Sequence, residues 1–176
     1  MTTTERAVHR ASVAASIGLV LMVVATAGYI GWPRVANALG LAPAAAKASY
    51  NAGEPFDAPA EWYTRDDVTL VIFGRASCAA CEKAQPFLKS LVERMRGRAG
   101  VVLAHPPGAE SDDVTYARSI GVADDRIRTV SAGLRVHATP TLVLVNRAGA
   151  ILDAWEGAGP PERQAAIVKA VEAILR

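Results

Sequence analysis

Cysteine is scarce: the chain has two in 176 residues. That excludes a disulfide-stapled scaffold and a zinc site built from four thiolates. A surplus of one charge is also missing, because 19 basic and 17 acidic side chains leave a formal net charge of +2. This near-balance removes the electrostatic case for a dedicated nucleic-acid binder, which needs a basic face or stripe. Charged residues make up only 20% of the chain against 51% hydrophobic, so the chain is not disordered as a whole. The hydrophobic excess is unevenly spread, and its densest part is a run with no charge at all.

That run is ASVAASIGLVLMVVATAGYIGWP, Ala11 to Pro33, which follows a short tail (residues 1–10) and is bounded by Arg10 and Arg34. As helix it reaches roughly 33 Å, enough for a hydrocarbon core of about 30 Å. Tyr29 and Trp32 stand at one end, where amphipathic rings favour the lipid–water boundary. Besides a buried soluble helix, two readings compete. One is a single-pass transmembrane anchor. The other is a cleaved signal peptide with Arg6 and Arg10 as its charged start and Ala36-Asn37-Ala38 as its cleavage site. The run exceeds the roughly 7–15 residues of a signal core, which favours the anchor. Lys and Arg flank it two against two, so the positive-inside rule does not decide orientation; His9 and the amino terminus tilt it toward N-in, C-out. Residues 34–60 are rich in Ala and Pro without an apolar period and read as a tether.

Residues 61–176 have the size of one small domain. Val68–Phe73 is a short β-branched run closed by Gly74, which predicts a buried strand. Ser77 can cap a helix carrying Phe87, Leu88, Leu91, Val92 and Met95 and ending at Gly97. A strand over Val101–His105, a helix over Asp112–Ile120, strands over Thr141–Val145 and Ile151–Trp155, and a helix from Pro160-Pro161 follow. The order β-α-β-α-β-β-α implies parallel pairs across the helices and one antiparallel hairpin. The expected architecture is α/β: a mixed four-stranded sheet with helices on both faces.

Both cysteines fall in Cys78-Ala79-Ala80-Cys81, directly after a buried strand and at the first turn of a helix. Unpaired N–H groups and the positive end of the helix dipole favour a thiolate there, so Cys78 should ionise easily. Cys81, one turn further in, should be more buried and less acidic. The spacing lets the sulfurs meet, which suits exchange: Cys78 attacks a disulfide and Cys81 resolves the mixed disulfide. Glu82 stands where a c-type haem site needs His, and so short a loop would constrain the unfolded chain little as a structural disulfide. His105 and His137 do not complete a zinc spacing. The competing reading is a metallochaperone or metal-binding module using the same two thiolates. A second constellation, His137-Ala138-Thr139-Pro140-Thr141, puts a Thr-Pro pair just before a buried strand. With a CxxC upstream, a cis peptide there would leave the Thr139 backbone free to pair with a substrate strand beside Cys78.

On the strand TLVIFGRAS, the Cys78–Cys81 motif, Pro86 and HATPTLVLVNRAG, residues 66–175 resemble the thioredoxin superfamily. With the N-terminal run, the chain looks like the membrane-anchored, TlpA-like branch of extracytoplasmic thiol–disulfide oxidoreductases. The resemblance implies a protein exchanging disulfides with protein thiols and disulfides, no cofactor or metal, and Pro140 as the family's cis proline. It implies a single-pass protein of the bacterial inner membrane with its C-terminal domain on the extracytoplasmic side. The sequence departs from thioredoxins in three places: Ser77 replaces the usual Trp, Ala79-Ala80 replaces Gly-Pro, and Ile72 stands where the buried acid should be. Glu82 or a water would then have to take the proton of Cys81. Lesser candidates are Arg75 as a thiolate-stabilising cation, His137 at the site border, and His105 at a strand end on the cysteine side. Asp112-Asp113 reads as a helix start.

Overall fold

The computed structural model of the protein describes residues 50–130 and 134–176; the tail, the expected anchor and the first part of the expected tether lie outside the described residues. Among the described residues, no helix is long and apolar enough to cross a membrane.

The centre is strand β1 (Val68–Phe73). Leu70 and Ile72 point to one face of the sheet and Val71 and Phe73 to the other, and all four are buried. Burial on both faces is why the run is continuously apolar rather than alternating. β1 pairs parallel with β2 (Gly100–His105) and antiparallel with β4 (Thr141–Asn146). β4 pairs antiparallel with β5 (Ile151–Glu156) through a tight turn. In that turn the Asn146 side chain accepts the N–H groups of Ala148 and Ala150, and Gly149 has φ +83°. A Cβ on Gly149 would also lie 2.8 Å from the Tyr63 hydroxyl oxygen, so both backbone and space require glycine there.

The sheet has five strands, not the expected four, in the order β3-β2-β1-β4-β5. The addition is β3 (Ile127–Thr129), which pairs parallel with the outer side of β2. Three residues with one apolar side chain carry no readable period, and an edge position needs none.

Among the described residues three α-helices pack on the strands: α1 (Ala79–Met95), α2 (Glu110–Ser119) and α3 (Pro161–Ile174). They do not cover both faces. Leu88 and Leu91 of α1, Tyr116 and Ala117 of α2, and Ile167 and Val171 of α3 all join the core on the Leu70/Ile72 face. The topology explains it: β1 to β2 and β2 to β3 step the same way across the sheet, and right-handed crossovers in one direction put both helices on one face.

The opposite face is covered by a strap from the stretch expected to be a tether. Tyr50, Phe56, Ala58 and Trp62 are buried against Val71, Phe73, Val143 and Val145. Tyr50 stacks on Phe73 at 6.0 Å between ring centroids, and Phe56 meets Tyr50 edge-on at 5.4 Å. The backbone pairs too: Gly53 N–H donates to Ile151 O at 2.8 Å, Ile151 N–H to Glu54 O at 2.9 Å, and Phe56 N–H to Gly149 O at 2.8 Å. Residues 50–60 therefore belong to the domain. Arg135 lies over the Tyr50 ring and pairs with Glu54 at 2.8 Å and Asp57 at 3.2 Å. The strap thus holds the segment that leads into Thr139 and Pro140.

Candidate functional site

The crossing from β1 to α1 spans residues 74–78. Gly74 N–H is held by Ala104 O of β2 at 3.0 Å, and Ala76 N–H by the Asp113 carboxylate of α2 at 2.7 Å. Cys78 ends the crossing in extended backbone and is the N-cap of α1; its sulfur accepts the Cys81 N–H at 3.2 Å. The expected cap, Ser77, does something else: its hydroxyl accepts from Arg75 Nε at 2.7 Å. A sulfur in the capping position receives the N–H that a capping oxygen ordinarily takes, so the helix end stabilises negative charge on that sulfur. Pro86, inside α1, has no N–H for the Glu82 carbonyl one turn back.

Thr139 approaches from the other side of the sulfur. Its hydroxyl lies 3.2 Å from Cys78 Sγ, and its carbonyl 3.5 Å. The carbonyl can accept from the thiol and the hydroxyl can donate to the thiolate. The Thr139–Pro140 peptide is cis. Pro140 is buried, and its carbonyl accepts Gly157 N–H at 2.7 Å.

The two thiols are free, Cys78 half-buried and Cys81 buried. Partial burial pushes the Cys78 thiol up. The Cys81 thiol, the Thr139 hydroxyl and the N–H groups of Cys81 and Ala80 outweigh that, and its pKa falls below the ordinary thiol value. Burial, and then the neighbouring Cys78, push Cys81 up to about 11. The pair therefore consists of one thiol that ionises readily at the surface and one that holds its proton in the core. Tyr116 donates its hydroxyl to Cys81 O at 3.1 Å and fixes the first turn of α1 from α2.

The site residues expected from sequence divide into two groups. Cys78, Cys81, Thr139 and Pro140 come together. Arg75 is exposed and turns its guanidinium to Ser77, while its backbone N–H serves the Cys81 sulfur. Glu82 is exposed on the first turn of α1 and lines a polar cleft with Gln85, Asp112 and Tyr116. His137 is exposed and borders a cleft of about 330 Å³ beside Thr139, whose walls include Phe73, Val130, Leu134 and Val136. Ile72 is buried, as the sequence reading requires for the position of the missing acid. Among the described residues, no group of three or more His, Cys, Asp and Glu could hold a metal ion. Asp113, read from sequence as part of a helix start, does lie in the first turn of α2, where it is also buried with His105 behind the crossing.

Known proteins with solved structures share this fold. The thioredoxin domain of a thiol-disulfide oxidoreductase from Bacteroides vulgatus superposes with a TM-score of 0.56 at 14% identity, over 72% of this chain and 99% of that one. A thiol:disulfide interchange protein of the thioredoxin family from Chlorobium tepidum superposes with a TM-score of 0.52 at 14% identity, over 72% and 98%. No curated protein matches the sequence. The family described as thioredoxin-like domain matches residues 59–172, about two thirds of the chain, and takes in the Cys78–Cys81 turn and the Thr139–Pro140 bend. With its five-stranded mixed sheet, its CxxC at a helix start and its cis proline alongside, this chain belongs to the thioredoxin-like family.

Proposed function

We propose that the protein is a thiol–disulfide oxidoreductase acting on protein thiols and disulfides, with Cys78 as the attacking group and Cys81 as the resolving group. The observation that carries this reading is the split between the two thiols: one lowered and half-exposed, the other buried and pushed up to about 11, within one helical turn. In the reducing direction the Cys78 thiolate attacks one sulfur of the partner's disulfide. A Cys78–partner disulfide forms and one partner thiolate leaves. Cys81 then gives up its proton, to the partner thiolate just released or to water, and attacks Cys78 Sγ. The Cys78–Cys81 disulfide forms, the second partner thiolate leaves, and two electrons have passed to the partner. The oxidising direction is the same sequence reversed.

The site has an edge for a partner chain. Ala138 and Thr139 lie at the rim beside the sulfur, and Ala138 is exposed. One cleft opens there, and a second of about 240 Å³ lies beyond Pro140, between Ala80, Lys83 and Gly157. This supports Thr139 and Pro140 as the place where an extended substrate segment lies against Cys78. The test is exchange itself. Reduced protein mixed with a disulfide-bonded peptide should reduce about one peptide per protein and end with Cys78 joined to Cys81. A peptide left oxidised, with both thiols still free, overturns the reading.

The uncharged run from Ala11 to Pro33 supports a single-pass anchor, which would hold the domain on the extracytoplasmic side of a bacterial inner membrane. The full chain should then stay with the membrane through alkaline carbonate washing. Release into the wash, or a mature chain beginning near Ala38, sinks the anchor.

A further inference from the structure

The exchange scheme gives no task to a buried polar pair behind the crossing. His105 at the end of β2 and Asp113 in α2 are 2% and 1% exposed. His105 Nδ1 lies 2.9 Å from Pro106 O and 3.2 Å from Asp113 Oδ2. Both neighbours are acceptors, so Nδ1 carries a proton. One N–H cannot align with both, and Asp113 Oδ2 has no well-directed hydrogen bond. The other carboxylate oxygen, Oδ1, accepts Ala76 N–H at 2.7 Å.

Stability is a poor reason for this arrangement. Buried ion pairs lose in desolvation much of what they gain in attraction, and apolar replacements of similar shape are often as stable. The contact to Ala76 is a better reason. Ala76 is two residues before Cys78 and in the middle of the crossing. Its N–H points into the fold, where an unpaired donor is costly. Gly74 is tied to β2 and Cys78 turns back on Arg75 O at 3.3 Å; Asp113 ties the middle to α2. The sulfur's own contacts, 3.2 Å to Cys81 N–H and 3.2 Å to the Thr139 hydroxyl, depend on where this crossing ends.

We propose that Asp113, buried beside His105, is a positioning residue for the redox pair: by holding Ala76 it sets the Cys78 sulfur against the Cys81 N–H and the Thr139 hydroxyl. The proposal rests on the reading of Cys78 as the attacking group. It is an effect of geometry, not of charge. A carboxylate's negative charge near a thiol would disfavour the thiolate, so anchoring and charge act with opposite sign.

Two substitutions separate them. Asp113→Ala removes both the acceptor and the charge; Asp113→Asn keeps an acceptor oxygen for Ala76, removes the charge and turns an amide toward His105. The readout is the rate at which iodoacetamide alkylates Cys78 in the reduced full chain at pH 7, with circular dichroism to confirm folding. D113A should slow alkylation about tenfold, as a misplaced sulfur loses the Cys81 N–H and Thr139 hydroxyl that hold its thiolate. D113N should alkylate within about threefold of the wild-type rate, the carbonyl acceptor having been kept. A folded D113A that alkylates at the wild-type rate overturns the proposal, and so does a D113N as slow as D113A. Should D113A not fold, D113N decides: a near-wild-type rate supports anchoring and a tenfold loss overturns it. Iodoacetamide needs no protein partner. A failed anchoring test therefore leaves peptide exchange standing, and failed peptide exchange leaves the alkylation result readable.

Discussion

Replacing Cys81 with serine should leave the protein covalently joined to its partners through Cys78, while replacing Cys78 with serine should abolish both joining and exchange. The asymmetry follows from the two sulfurs' surroundings. In Cys81→Ser the half-exposed sulfur keeps its place at the helix N-cap, still facing the Cys81 backbone N–H and the Thr139 hydroxyl. It attacks as before, but nothing resolves the mixed disulfide. In Cys78→Ser the remaining thiol loses the neighbouring sulfur that helped to raise it, but burial, the larger cause, still holds it above the ordinary thiol value, so little of it is thiolate at pH 7. A more basic thiolate is a stronger nucleophile, but this recovers only part of the loss, and burial denies it access. Exchange should fall at least about 100-fold. Non-reducing gels of the full chain after incubation with disulfide-bearing extract show the joined species, and peptide exchange gives the rate. Equal behaviour of the two variants would mean a structural pair and would end the exchange reading. The pH profile has the same sign. Cys78 should reach half-maximal alkylation below the ordinary thiol midpoint of 9.0, whereas Cys81 should resist until near pH 11.

What sequence could show depended on whether a side chain's task was local. The Cys78–Cys81 turn was legible because a strand end, a helix start and a three-residue spacing are all near neighbours in the chain. The Thr139–Pro140 bend was legible only with the CxxC and the resemblance beside it, since 61 residues separate Thr139 from the sulfur it touches. The capping assignment missed by one residue. Ser77 is the better capping type, but the Arg75 guanidinium takes its hydroxyl and the helix begins on a sulfur. β3 was illegible because an edge strand of Ile127-Arg128-Thr129 draws its stability from pairing with β2, not from a pattern of its own. The buried Asp113 was masked by Asp112 beside it: two acids at a helix start satisfy the dipole rule, and nothing in the sequence says that one of them faces inward. The one-sided arrangement of the helices follows from strand order, which cannot be derived from sequence without β3.

The strap is the largest departure from the sequence reading, and Phe56→Ala tests it. Ala and Pro around Phe56 hide it, because an aromatic residue in such a stretch has no period to join. In the fold it is 6% exposed, with ring centroids 5.4 Å from Tyr50, 5.9 Å from Tyr63 and 6.3 Å from Phe73. Truncation removes the ring's transfer energy and opens a cavity that Tyr50 and Phe73 cannot both fill, since each is held by other contacts. Phe-to-Ala changes in cores cost about 3–5 kcal/mol, and a site at the domain margin belongs at the lower end, about 3 kcal/mol. For a domain of this size that lowers the melting temperature by about 10 °C. A residue in a solvated tether would leave it unchanged, so a melt indistinguishable from wild type would return residues 50–60 to the tether. The same variant bears on the site. The Arg135 contacts to Glu54, Asp57 and the Tyr50 ring run from this strap to the segment entering Thr139. Loosening the strap should therefore cost exchange rate as well as stability, and Cys78 alkylation followed through the melt should change before the far-ultraviolet signal does.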